Sequence, residues 1–311
     1  MGKPLLSVSM ITYNHEKYLE KAIDSILEQQ TNFEYEIVIG DDHSTDNTID
    51  IIKQYVAKYP DKIRPIYRKE NVGVKVNFSD TIFRCQGKYV AILEGDDYWT
   101  DSLKLQKQVD FLESHPTYSL TSTRYSIHNC NTNEIIEDPL SALFESNPGG
   151  IEINIQMYFS YWITKTLTVI FKRDLFDIKE VAKYAYFRDT HLFYHLLKKG
   201  NGYCFNFVTG TYNIHDTGYW SSQSNNMMLQ TAYTVFNELY KWNSNDIEVK
   251  KIYIATLNQY INLQIGKSKR PIINLFIYRY VFKYLLVIKS FKFLKDKINF
   301  MYSSSFKSIQ I

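Results

Sequence analysis

Three carboxylates surround one glycine at Glu94-Gly95-Asp96-Asp97, directly after the apolar run Tyr89-Val90-Ala91-Ile92-Leu93. Acids this close repel one another unless a cation is shared among them, and an all-oxygen set suits a hard ion such as Mg²⁺ or Mn²⁺. A metal held there can carry a diphosphate. Alone, the acidic turn is equally well explained as a solvated loop or a helix start, since Asp97 and Asp101 are good capping residues. A second acidic turn shifts that balance: Asp41, Asp42 and Asp46 follow the run Tyr35-Glu36-Ile37-Val38-Ile39-Gly40. Two parallel strands with acids at their carboxyl ends mark the crevice where open α/β sheets bind ligands.

The elements that must position these acids follow from periodicity. Residues 5–11, 35–39, 63–67 and 89–93 read as strands, the last buried on both faces. Between them, Tyr18, Leu19, Ala22, Ile23, Ile26 and Leu27 recur at helical spacing. They predict a helix over residues 16–29 capped by Asn14. Further helices are predicted over 49–59, 76–85 and 103–115, the last ending at His115-Pro116. The repeated βα order implies a mostly parallel, doubly wound sheet. No GxGxxG follows the first strand, so the dinucleotide fingerprint is missing. Residues 131–150, rich in Asn, Pro, Ser and Glu, read as a long surface loop or flap. Residues 164–171, 203–208 and 210–214 read as strands, and 189–199, 227–242 and 247–265 as helices.

The 311 residues suffice for one large or two small domains. Residues 269–311 hold nine Lys or Arg against the single acid Asp296, a net +8, which leaves −5 for the rest of a chain whose total is +3. The 26 Tyr and 19 Phe are spread along the chain and not interleaved with a basic patch, so a nucleic-acid binder is a poor reading. Cys85, Cys130 and Cys204 lack any CxxC pattern and read as reduced thiols of a cytosolic protein. The apolar run at the N-terminus is too short for a signal peptide.

Six motifs in order now point one way: SVSMITYNHEKYLEKAIDSILEQQ, EIVIGDDHSTDNT, RKENVGVKVNF, GKYVAILEGDDYW, RDTHLFYHLLKKG and YNIHDTGYWS. Over residues 5–222 the chain resembles the family 2 glycosyltransferases, enzymes of the GT-A fold that transfer a sugar from a nucleotide diphosphate donor. The resemblance implies a GT-A type α/β fold in three parts: a nucleotide-sugar-binding half over 1–125, an acceptor-side half of the same domain over 126–225, and a C-terminal helical extension over 226–311. It implies that Thr12 and Asp42 hold the uracil base of a UDP donor, with Tyr13 lying against that base. Glu94 takes the place of the first acid of the family's DxD motif, where Asp is usual and the ribose is contacted. Asp96 matches the metal-binding acid, Asp97 supports it, and His215 resembles a late residue that approaches the metal or diphosphate. Asp189 matches the catalytic base, with Arg188 where Glu is common. An inverting transfer needs such a base to take the proton of the attacking acceptor hydroxyl. The expected cofactor is Mn²⁺ or Mg²⁺, and the expected acceptor is a glycan or a lipid-linked glycan of the cell surface.

Several residues have plainer readings. Asp189 is also a natural helix N-cap, and Asp41 suits an Asx-type turn. His15 and His43 read as solvated loop residues. His191 and His195 read as a solvated helix face, since no third ligand stands at zinc-binding spacing. Trp99 and Trp220 read as core, or as platforms for an acceptor sugar. Residues 271–297 are strongly apolar, but Arg279 and Lys283 argue against a spanning helix. They fit an interfacial helix on an anionic membrane surface, or one packed on the protein. The alternatives to a transferase are a non-catalytic nucleotide-sugar-binding protein and a sugar nucleotidyltransferase. The second usually carries a Gly-rich phosphate loop that ITYNHEKY lacks.

Overall fold

The computed structural model describes residues 2–218, 223–267, 275–288 and 295–301. It divides into two compact units, residues 1–183 with 187–221, and residues 184–186 with 222–311.

The first unit is built on one mixed sheet. Its parallel core is β1 (Leu6–Thr12), β2 (Tyr35–Asp41), β3 (Ile63–Tyr67) and β4 (Tyr89–Ile92), alternating with α1 (Leu19–Leu27), α2 (Thr48–Lys58) and α3 (Val74–Arg84). After β4 come the short β5 (Tyr98–Trp99), α4 (Lys104–Ser114) and the long β6 (Leu120–Asn129). Then follow β7 (Glu134–Glu137), α5 (Ser141–Phe144), β8 (Gly150–Ile153), α6 (Ile155–Tyr161), β9 (Ile170–Lys172), α7 (Ile178–Lys183), α8 (Asp189–Leu197) and β10 (Gly202–Ile214). The strand order is β3-β2-β1-β4-β9-β6-β10-β5, with β7 on β6 and β8 on β10. Strand β6 runs through residue 125, so both halves of the unit share the sheet. Val8, Met10, Ile37, Ile39, Ala91 and Leu93 form a core with Ile23 and Ile26 of α1 and Leu105 and Val109 of α4. Burying each of the larger side chains among these is worth roughly 1.5–3 kcal/mol, and this fastens the strand ends that carry the acids.

Several local expectations are corrected. Asn14 does not cap α1. It sits at φ 56°, a left-handed conformation Asn tolerates, and its side chain accepts from Thr45 N at 2.8 Å, while Tyr18 holds the cap position. Residues 131–150 are not a plain loop, because β7 pairs with β6 and α5 follows. Residues 164–171 begin as a 3-10 turn, Thr166–Thr168, before β9. Residues 202–214 form one strand with register shifts against β6, not two.

The second unit contains α9 (Asn225–Trp242), α10 (Ile247–Lys267) and α11 (Leu275–Ile288). Tyr233 stacks on Tyr260 at 4.3 Å and Tyr240 on Tyr253 at 4.4 Å, so paired aromatic rings join α9 to α10. Helix α11 buries Ile277, Val281 and Tyr284, while Phe282 and Leu286 are each 63% exposed. Lys283 bonds Asn237 and lies over Tyr233 and Tyr253. No helix among the described residues is long and apolar enough to cross a membrane. Residues 269, 270, 289, 292 and 307, part of the basic tail, lie outside the described residues, as does Trp220.

Candidate active site

The acidic turn hangs from the end of β4. Gly95 N donates to Ile11 O at 2.9 Å, which carries the β1 pairing past the end of the strand, and Asp97 N closes the turn on Glu94 O at 3.2 Å. A side chain at Gly95 has no room: its Cβ would lie 2.8 Å from Thr12 Oγ1 and 3.0 Å from His15 Nδ1. One carboxylate oxygen from each of Glu94, Asp96 and Asp97 falls within 4.8 Å of the others.

The late strand β10 completes this turn. Asn213 N donates to Asp97 Oδ1 at 2.9 Å, and Asn213 Nδ2 donates to Asp96 O at 2.6 Å. His215 Nε2 lies 3.2 Å from Asp96 Oδ2, with its ring on Tyr18 at 4.5 Å. From the other side His15 Nε2 approaches the same oxygen at 3.7 Å. His15 is therefore not the solvated loop residue its sequence context implies; it is half-buried and faces Asp96. The 3-10 turn adds Thr166, whose hydroxyl donates to Glu94 Oε2 at 3.3 Å.

The electrostatics of the three acids differ. Burial and the neighbouring charges of Asp96 and Asp189 push Glu94 up to about 8, against the pull of Thr166 and Arg188. Burial, with Asp96 and Glu94, pushes Asp97 well above the carboxylate range, and its Oδ2 has no hydrogen-bond partner among the described residues. Asp96 is also opposed by burial, but His15 and His215 outweigh it and hold its pKa below the usual value. A crowded, donor-poor set of oxygens with one orphaned buried atom fits a shared divalent cation. Asp96, Asp97 and Glu94 are the residues that would hold it, with His215 beside them.

Asp189 opens α8 and is close enough to raise Glu94. The cap position belongs to Arg188, and Asp189 Oδ1 accepts from Thr190 N at 2.8 Å. The base-side candidates sit on the β1 and β2 ends. Asp42 N donates to Thr12 O at 3.0 Å, Thr12 is buried with its hydroxyl unpartnered among the described residues, and Tyr13 is 43% exposed. The Asp42 carboxylate accepts Val72 N at 2.8 Å and Gly73 N at 3.0 Å. The structure thus gathers Glu94, Asp96, Asp97, Asp189 and His215, and pairs Thr12 with Asp42 beside them.

Other histidine and tryptophan readings change. His191 is not on a solvated face: it is fully buried, stacks on Phe187 at 5.6 Å, and its Nδ1 accepts from Arg188 N. His195 is half-buried 3.6 Å from Glu180, and burial pushes it down to about 4. His43 is exposed as expected. Trp99 is core, its Nε1 donating to Leu167 O.

The glycosyl transferase family 2 model matches residues 7–177, more than half of the chain. The chain belongs to this family. Among relatives, the teichuronic acid biosynthesis glycosyltransferase TuaG of Bacillus subtilis is 39% identical over 125 residues, 40% of this chain and 48% of its own length. The glycosyltransferase EpsE of the same organism is 39% identical over 120 residues, 39% of this chain and 42% of its length. The matched segment thus spans less than half of either relative. In fold, TarS of S. aureus in complex with UDP-GlcNAc superposes with a TM-score of 0.64 at 15% identity, over 97% of this chain and 88% of that one. The mannosyltransferase PcManGT of Pyrobaculum calidifontis, in complex with GDP-Man and Mn²⁺, gives 0.54 at 14% identity, over 99% and 88%. The fold is that of GT-A glycosyltransferases.

Proposed function

We propose that this family 2 glycosyltransferase moves a sugar, with inversion and metal dependence, from a UDP donor to a hydroxyl of a glycan or lipid-linked acceptor in cell-surface polysaccharide synthesis. The observation that carries this reading is the crowded Glu94, Asp96 and Asp97 set with Asp189 close to it. Asp189 takes the proton of the acceptor hydroxyl as it attacks the anomeric carbon. Mn²⁺ or Mg²⁺ on the acids supplies stabilisation of the departing diphosphate. Thr12, Tyr13 and Asp42 hold the base, and His15 and His215 fix the Asp96 carboxylate from two sides.

TuaG's name supports an envelope-polymer role, and the UDP-GlcNAc complex of TarS supports a UDP donor of hexosyl or N-acetylhexosaminyl type. Residues 1–125 would form the donor half, 126–225 the acceptor half and 226–311 a helical extension. Its basic segment, with Phe282 and Leu286 turned outward on α11, supports peripheral attachment to an anionic membrane at the cytoplasmic face. Calorimetric titration of UDP with and without Mn²⁺ tests the donor reading. Equal affinities in the two titrations would refute it. Sedimentation with anionic vesicles, weakened by salt, tests the attachment.

A further inference from the structure

Lys104 is a charged side chain with no exposed surface. It opens α4 and points into the first unit, where its Nζ bonds Gln108 Oε1 and donates to Thr168 O at 3.1 Å. Among the described residues no carboxylate forms an ion pair with it, and burial lowers its pKa to about 7. A buried amine of this kind is costly, and a leucine would fill the space at lower cost. What leucine cannot do is donate.

The atom that receives the bond has a specific place. The 3-10 turn Thr166–Thr168 ends with carbonyls that its own backbone leaves open. Gln108 Nε2 also donates to Thr168 O, at 3.0 Å, while its own Oε1 faces Lys104. Trp99 Nε1 donates to Leu167 O at 2.8 Å, and the Lys104 amine lies 4.9 Å from the centre of the Trp99 ring. Three donors therefore grip the far end of this turn from beneath. Its near end carries Thr166, whose hydroxyl reaches Glu94.

We propose that Lys104 is a positioning residue of the donor site: by holding the carbonyl end of the 166–168 turn, it aims the Thr166 hydroxyl at Glu94 and fixes that carboxylate in the acidic set. Lys104 touches neither donor nor metal and acts only through the turn. The inference rests on the UDP reading, so its test keeps the two apart.

The test is a double-substitution cycle on the full chain, read by UDP titration in the presence of Mn²⁺ and by melting temperature. Lys104→Met, close in length and without a donor, should weaken UDP binding about tenfold while the protein stays folded. Thr166→Val should weaken it similarly, and the pair together should be no worse than about twofold beyond either alone, because both break one connection. A purely structural lysine would lower the melting temperature and leave the affinity unchanged. Affinity within twofold of the parent in folded Lys104→Met, or fully multiplicative losses in the pair, overturns the proposal. If Lys104→Met does not fold, Gln108→Leu removes a donor to the same carbonyl and is read in its place. Unfolding of both variants also overturns it. A parent protein that binds no UDP sinks the donor reading, whereas a parent that binds and variants that bind equally sink this inference alone.

Discussion

The two acidic strand ends, Asp41-Asp42 after β2 and Glu94-Gly95-Asp96-Asp97 after β4, carry the same sequence signal and are supplied with hydrogen-bond donors very differently. Asp41 takes Ser44 N at 3.1 Å and the Ser44 hydroxyl on its other oxygen, and Asp42 takes the amides of Val72 and Gly73. These carboxylates are supplied with donors by the loops around them. The acids after β4 are less evenly supplied: among the described residues Glu94 accepts from one hydroxyl at 3.3 Å and Asp97 Oδ2 from none, while Asp97 Oδ1 accepts from Asn213 N and Asp96 faces His215. What separates the two turns is the local count of N–H and O–H groups. The number of acids is similar in both.

Substitutions sharpen the comparison. The largest effect is expected from Asp96→Ala, which should abolish the metal-dependent part of UDP binding; calorimetry that still shows a Mn²⁺ increment would break the contrast at its centre. Next, Asp189→Asn should lower transfer at least about a hundredfold while donor affinity stays nearly intact. Lost binding with preserved turnover at saturation would place Asp189 on the donor side instead. For the supplied strand end the readout reverses. Asp41→Ala strands the Ser44 amide and should lower stability by about 1–3 kcal/mol in denaturant titration, with Mn²⁺ affinity unchanged in the folded fraction.

The smallest effect is one of pH. Glu94 is an acid whose folded pKa is raised, so between about 4.5 and about 8 the native state binds more protons than the unfolded one. The contribution of Glu94 to the stability of the metal-free protein should therefore fall as pH rises through that window, while His195, held down to about 4, and Lys104, held down to about 7, contribute in the opposite sense. Mn²⁺, which requires the ionised carboxylate, should bind more tightly toward the upper end. Melting temperatures of the metal-free protein from pH 5 to 8 are therefore read against Glu94→Gln, and a parent that does not lose ground to this variant across the range would contradict the assignment of Glu94 as an undersupplied acid.

Much of this was legible in the chain. β1 to β4 declared themselves because strands buried on both faces are unbroken apolar runs, and α9 and α10 through long helical periods. Asp41's Asx turn was readable because its partner lies three residues away. The partners that finish the site were not, for each acts over a long separation. His15 meets Asp96, Thr166 meets Glu94 and Asn213 meets Asp97, and no local pattern distinguishes them from solvated polar residues. Lys104 was hidden for a different reason. A lysine in the first turn of an amphipathic helix reads as exposed, and only the fold shows the direction in which it points.

The clamp from β10 has a consequence for how the molecule comes into being. Asn213 and His215 reach back across 117 and 119 residues to the Asp96 position, a separation that no early, local folding event can bridge. A nascent chain that has released β1 to β4 from the ribosome already exposes the acidic turn, but without the strand that orders it. Ordering of the acidic turn is thereby deferred until the 117 residues up to Asn213 have emerged, roughly 6–23 s of synthesis at ordinary rates. The last strand of the first unit to be made is thus the one that sets the geometry of the acidic turn.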